Sequence, residues 1–207
     1  RLTPRRLRRR TRSTRRSCSP STTAWCTVSP TASPGVVRRS GLLDLYRNNL
    51  SSRHLEAGVG TGFFIDRADP GGFEQLTLLD INRHCLARSA RRLARYQPLL
   101  CEANLLAPIA VELEPADSIG LTYVLHCLPG RMSEKLRAID HLRPVMSKGG
   151  VLFGATILGR GIEPNGAARS LLRLYNAKGV FNNLDDDFEA FSDSLKRRFE
   201  VMEIETK

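Results

Sequence analysis

Residues 54–64 read HLEAGVGTGFF, and this stretch decides the fold. A short apolar run leads into Gly58, Gly60 and Gly62, a G-x-G-x-G turn that follows a predicted strand and precedes a predicted helix. Glycine lets the backbone approach a ligand closely, and the first turn of a helix offers N–H groups without partners. The stretch therefore predicts a cofactor-binding loop at the end of a strand.

Segments on both sides of this loop alternate between strand-like and helix-like patterns. Several are near-continuous apolar runs, which are typical of strands buried on both faces of a parallel sheet. We therefore predict an α/β domain with a doubly wound, mostly parallel sheet. The predicted strands cover 54–59, 76–81, 99–103, 118–127, 149–158 and 201–206, and the predicted helices cover 42–50, 82–96, 133–142, 167–178 and 185–199.

Glu56 and Asp80 narrow the choice of cofactor. Asp80 ends the strand after the loop, where a carboxylate can accept hydrogen bonds from both ribose hydroxyls. A nicotinamide or flavin dinucleotide favours G-x-G-x-x-G, whereas Phe63 stands where the third glycine would be. Glu56 also lies close to where a diphosphate would put negative charge, and it suits a ligand with an ammonium group. An NAD(P)-dependent oxidoreductase stays open as the alternative.

At these residues the sequence resembles the class I S-adenosylmethionine-dependent methyltransferases. LEAGVGTG (55–62) is similar to their acidic-x-G-x-G-x-G motif, and LLDIN (78–82) is similar to the acidic end of their second strand. LRPVMSKGGVLFGATIL (142–158) looks like their helix, Gly-Gly turn and fifth strand. The resemblance covers about residues 42–207. It implies a Rossmann-like methyltransferase fold and S-adenosylmethionine as the cofactor but says little about the acceptor, for which an apolar, mid-sized pocket under 159–183 would favour a small organic molecule.

The same resemblance implies roles for individual residues. The Gly58–Gly62 loop would hold the methionine part of the cofactor, with Glu56 close to its ammonium group. Asp80 would bind the ribose. Asn104 and Leu105 would contact the adenine, although Asn104 stands where many members of the family have aspartate.

His126, at the end of the fourth predicted strand, is the candidate catalytic residue. Methyl transfer needs an oriented acceptor and, for a hydroxyl acceptor, a base. The alternative is a histidine that packs at the strand end and hydrogen-bonds a loop carbonyl. We assign no role to His54, and we expect 159–183 to overlie the acceptor pocket. The acidic run at 185–187 is interpreted as a helix cap rather than a metal site.

The basic charge of the chain is concentrated at its start. The net charge is +11, and residues 1–43 contain eleven arginines and no acidic residue. The remaining 21 basic residues are balanced by 21 acidic ones, so we expect neither nucleic acid nor membrane as a partner. The five cysteines show no metal-ligand spacing, which predicts no metal and a reducing, cytoplasmic location.

Residues 1–41 are predicted to be a disordered head rich in Arg, Ser, Thr and Pro. Our hypothesis is that the head is a frame-shifted translation. In the shifted frame the Trp25–Cys26 junction forces valine, and six further junctions permit the family pattern Y-D-x-x-V-x-x-F-S-N-x-x-x-W in register. A transit peptide and a basic nucleic-acid arm are the alternatives.

The resemblance also implies a last strand, antiparallel between the fifth and sixth strands, and none follows 201–206. We therefore expect the strand at 149–158 to keep an open apolar edge. Weak cofactor binding would follow, and a defective or non-catalytic cofactor-binding module is the alternative to an active enzyme.

Overall fold

The structure, a computed structural model, describes residues 22–28, 39–68, 70–161 and 166–206. The strands are β1 (Thr22–Val28), β2 (Arg53–Ala57), β3 (Gln75–Asp80), β4 (Leu99–Glu102), β5 (Ala116–Thr122), β6 (Met146–Ile157) and β7 (Val201–Thr206). The helices are α1 (Arg39–Asn49), α2 (Phe63–Ala68), α3 (Arg83–Arg92), α4 (Met132–Lys135), α5 (Arg137–Leu142), α6 (Gly166–Ala177) and α7 (Phe188–Lys196). Short 3-10 turns span Ala94–Tyr96, Leu125–Cys127 and Arg143–Val145.

The strands form one sheet in the order β4-β3-β2-β5-β6-β1-β7, and neighbouring strands pair in parallel. The prediction of a doubly wound parallel sheet is confirmed. Two of the differences from the predicted elements have a clear cause in the backbone. The strand predicted over 118–127 stops at Thr122, because Tyr123 takes a left-handed φ of 61°. The helix predicted over 133–142 is divided at Leu136 into α4 and α5.

Side chains of the central strands alternate between the two faces of the sheet. On one face, Leu55, Ile119 and Leu152 pack with residues of α5 and α7. On the other face, Leu78 and Phe153 pack with residues of α1, α2 and α3. Helices therefore cover both faces. In the part of the chain that the structure describes, no helix is both long enough and apolar enough to cross a membrane.

Part of the predicted head, residues 22–28, forms a strand. β1 pairs with β6 over its whole length and with β7 on its other side. The prediction of disorder is wrong for these residues, because β1 satisfies the N–H and C=O groups along the edges of two neighbouring strands. The predicted open edge of β6 is wrong for the same reason. Helix α1 begins at Arg39, and the rest of the predicted head, 1–21 and 29–38, lies outside the described residues.

Candidate active site

The glycine loop between β2 and α2 borders a cleft of about 190 Å³. Gly58, Gly60 and Gly62 take left-handed backbone conformations, with φ of 73°, 52° and 68°. A side chain at Gly58 would also strike a neighbour, since an added Cβ would lie 2.2 Å from Val124 Cγ2. The shape of the loop therefore depends on glycine, and the predicted succession of strand, loop and helix is confirmed.

The carboxylate of Glu56 is buried and lines the cleft. The Tyr46 hydroxyl donates to Oε1 at 2.5 Å, and His54 Nε2 lies 3.0 Å from Oε2. Gly120 leaves room for the carboxylate, because an added Cβ there would lie 2.2 Å from Oε2. Burial and the adjacent Glu56 charge raise the pKa of Tyr46 well above its ordinary value. The phenol therefore stays protonated and acts as a donor.

Asp80 and Asn104 lie at the carboxyl ends of the neighbouring strands β3 and β4. Asp80 Oδ2 accepts a hydrogen bond from the N–H of Gly60 at 3.3 Å, which ties the end of β3 to the glycine loop. Asn104 is exposed, and its Oδ1 accepts from the N–H of Leu106 at 2.9 Å, whereas Leu105 is buried. The carboxyl end of the sheet, where the glycine loop lies, also carries Asp80, Asn104 and Leu105. These three residues do not line the cleft itself.

His126, the candidate catalytic residue, lies in the 3-10 turn after β5 and is only 3% exposed. Its ring packs edge-on against Phe181 and Tyr123, and its Nδ1 lies 3.4 Å from the backbone nitrogen of Ile157. Burial, followed by the charge of Lys135, lowers the pKa of His126 from 6.5 to about 3. An imidazole with such a low pKa is a weak general base near neutral pH. These contacts favour the packing role, with a backbone N–H rather than a loop carbonyl as the partner.

A buried ion pair lies beside His126. Lys135 Nζ lies 2.6 Å from Asp186 Oδ2, and both side chains are almost completely buried. The helix cap predicted from the acidic run is present at Asp187, whose Oδ1 accepts from the N–H of Ala190 at 3.0 Å. Asp186 instead neutralises Lys135. Within the described ranges, no cluster of His, Cys, Asp and Glu side chains could hold a metal ion.

The sequence patterns assign no role to three residues at or beside the cleft, namely Tyr46, His54 and Tyr123. Strand alternation places His54 on the same face as Glu56, and this signal is readable from the sequence. Tyr46 reaches Glu56 from helix α1, and only the tertiary packing reveals that contact. Tyr123 lines the cleft in a left-handed conformation, which is uncommon for a bulky residue and often marks a functional site.

Known sequences resemble this chain over most of its length. The profile of a family described as a methyltransferase domain matches residues 55–152. The demethylluteothin O-methyltransferase of Streptomyces thioluteus is 38% identical over 168 residues, which is 81% of this chain and 71% of that protein. The N-methyltransferase vrtF of Penicillium aethiopicum is 34% identical over 80% of this chain and 69% of that protein.

A solved structure resembles the fold as well. It is that of a Bacillus halodurans protein assigned as a methyltransferase, and it superposes with a TM-score of 0.55. The match covers 76% of this chain and 66% of that protein at 16% sequence identity, so it supports the fold alone.

Proposed function

The chain belongs to the class I S-adenosylmethionine-dependent methyltransferases, and we propose that its glycine-loop cleft holds that cofactor during methyl transfer to a small organic molecule. The named relatives support an oxygen or a nitrogen atom as the methyl acceptor. One observation carries the proposal for the cleft. The buried carboxylate of Glu56 lies beside the glycine loop, where the ammonium group of the cofactor would be its counterion.

The residues around the cleft fit this cofactor better than they fit a dinucleotide. Within the described residues, no lysine or arginine pairs with Glu56, whose carboxylate instead contacts His54 Nε2 and the Tyr46 hydroxyl. A buried carboxylate favours a nearby cation and disfavours a second anion such as a diphosphate. We therefore assign the ammonium group to Glu56 and the rest of the methionine part to the Gly58–Gly62 loop.

The other end of the cofactor would lie beyond β3 and β4. We propose that Asp80 accepts hydrogen bonds from the ribose hydroxyls and that Asn104 and Leu105 contact the adenine. These assignments are supported by the position of the residues, because ligands of open parallel sheets bind past the carboxyl ends of the strands. The cofactor, when bound, supplies an already activated methyl group. The task of the chain is then to hold the acceptor in line with that group and to keep water out.

For His126 we propose a supporting role rather than that of a base. Its ring holds Phe181 and Tyr123 in place, and Tyr123 in turn lines the cleft. A hydroxyl acceptor would then lose its proton to another group or to solvent. A catalytic role for His126 would require a pKa much closer to the working pH than about 3.

We also propose that the enzyme works in the cytoplasm without nucleic-acid or membrane partners. Cys85, Cys101 and Cys127 are free thiols, as expected in a reducing compartment. The balanced charge of residues 44–207 gives the catalytic domain no electrostatic preference for polyanions.

Calorimetry with S-adenosylhomocysteine and with NAD(P)H tests the cofactor assignment. We expect the wild-type chain to bind S-adenosylhomocysteine, and Glu56→Gln to weaken that binding at least about tenfold. Binding of NAD(P)H without binding of S-adenosylhomocysteine would contradict the assignment. Turnover of S-adenosylmethionine against a panel of small phenols and amines separates an active enzyme from a non-catalytic cofactor-binding module.

A further inference from the structure

A line of buried polar side chains runs away from the cleft beneath helix α1. The line begins at the carboxylate of Glu56 and consists of Tyr46, His54 and Ser118. We call these three residues the carboxylate support. His54 Nε2 lies 3.0 Å from Glu56 Oε2, and His54 Nδ1 lies 2.9 Å from Ser118 Oγ. The line continues to the backbone, because the N–H of Ser51 donates to Ser118 Oγ at 2.9 Å. These contacts join β2 to β5 on one face of the sheet.

A carboxylate accepts hydrogen bonds, and this sets the direction of the contacts at Glu56. Ser118 Oγ accepts from the N–H of Ser51 and still has a hydroxyl proton that it can donate to His54 Nδ1. At the other ring nitrogen, the Nε2 N–H of His54 donates to Glu56 Oε2. Tyr46 donates to the other carboxylate oxygen. Each oxygen of Glu56 thus has one fixed donor and keeps a lone pair for a ligand.

Aromatic packing holds this arrangement rigid. The ring of His54 stacks on Phe153 with 5.8 Å between centroids, and Phe73 lies 6.1 Å away. Tyr46 meets Phe153 edge-on at 5.0 Å. Gly120, opposite Phe153 in the neighbouring strand, leaves open the space that the carboxylate fills. Tyr46 and His54 therefore hold the two carboxylate oxygens of Glu56 in place.

We propose that Tyr46, His54 and Ser118 are positioning residues that make Glu56 selective for ligands carrying an ammonium group. Their hydrogen bonds hold the carboxylate at one position beside the glycine loop. A ligand that has an amino-acid tail therefore gains affinity, whereas a ligand with only the nucleoside part gains nothing from this group. The inference rests on the proposed cofactor site, and it concerns how the protein discriminates between ligands at that site.

Two ligands separate this effect from a general loss of binding. S-adenosylhomocysteine has the amino-acid tail, and 5′-methylthioadenosine is the same nucleoside without it. Calorimetry with both ligands gives an affinity ratio for the wild type and for Tyr46→Phe, His54→Leu, His54→Gln and Ser118→Ala. We expect Tyr46→Phe and His54→Leu to lower the ratio about tenfold, the equivalent of one charge-assisted hydrogen bond. Affinity for 5′-methylthioadenosine should stay within about twofold of the wild-type value, which is within the noise of such comparisons.

Conservative and control variants show whether the side chains act through Glu56. His54→Gln keeps an N–H donor and should recover most of the ratio, and Ser118→Ala should fall between it and His54→Leu. Thr77→Val is the matched control, because Thr77 is a buried residue of β3 whose hydroxyl has no hydrogen-bond partner among the described residues. It should leave the ratio unchanged.

Each outcome has one interpretation. A wild type that binds neither ligand contradicts the proposed function itself. A wild type that prefers S-adenosylhomocysteine, with the same ratio in Tyr46→Phe and Ser118→Ala, overturns the present inference and leaves the cofactor site standing. If His54→Leu fails to fold, Tyr46→Phe and Ser118→Ala decide the question, since both changes remove a hydroxyl and keep the shape of the side chain.

Discussion

Replacing His126 by asparagine is expected to make the protein less sensitive to acid. In the folded protein His126 is neutral, and burial lowers its pKa from an ordinary 6.5 to about 3. In the unfolded chain the same ring takes up a proton near its ordinary pKa. A depressed pKa of this kind stabilises the fold above pH 6.5, and the stabilisation is lost as the pH falls toward 3.

The size of the effect follows from proton linkage. Between about pH 7.5 and about pH 5, a shift from 6.5 to about 3 removes about 2 kcal/mol of unfolding free energy through this one side chain. Asparagine is the matched replacement, because its Oδ1 can accept from the N–H of Ile157 as Nδ1 of His126 does. Lys135 and Asp186 remain in the variant, so their own effects cancel in the comparison.

Urea unfolding followed by circular dichroism at several pH values measures this difference. The wild type should lose about 2 kcal/mol more than His126→Asn between pH 7.5 and pH 5. The other histidines are present in both proteins, so their contributions to the unfolding free energy cancel in the difference. Equal losses in the two proteins would refute the reasoning and would restore His126 as a candidate base with an ordinary pKa.

Three further predictions concern the ion pair, the site and the head. Lys135→Met leaves Asp186 buried without a partner and should cost about 3–5 kcal/mol in urea unfolding, whereas adding Asp186→Leu should restore most of that loss. Gly120→Ala puts a methyl group 2.2 Å from Glu56 Oε2, so calorimetry should find weaker S-adenosylhomocysteine binding, together with about 1–3 kcal/mol less stability. Unchanged affinity for S-adenosylhomocysteine would mean that the Glu56 carboxylate can move without weakening binding. If the head is a shifted reading frame, sequencing of its DNA should reveal the expected pattern in the second frame; a single uninterrupted frame that encodes β1 in the expressed protein would contradict this.

The central sheet and the glycine loop could be predicted because their signals are local. Apolar runs such as 149–158 and the spacing of Gly58, Gly60 and Gly62 depend only on neighbouring residues. The choice of Glu56 as a cofactor contact was also possible from its distance to the loop. The prediction of an ammonium ligand rested on that carboxylate and on no other residue.

Long-range contacts explain what the sequence did not reveal. Ser118 is 64 residues from His54, and Asp186 is 51 residues from Lys135, so neither pairing leaves a pattern in a sequence window. The burial of His126 depends on Phe181, which reaches it from the segment after β6. The strand β1 could not be predicted either, because its partners β6 and β7 lie far along the chain.

The position of β1 sets the order in which the sheet can be completed. Thr22 lies opposite Val151 in β6 and Val201 in β7, so β1 must wait for most of the chain to be synthesised before it finds either partner. The strands from β2 to β6 are joined by much shorter connections and can assemble first. Since closing long loops is entropically slow, attachment of β1 and β7 should be the late step of folding. Until then the edge of β6 is open to other chains, and this interval is when aggregation would compete with folding.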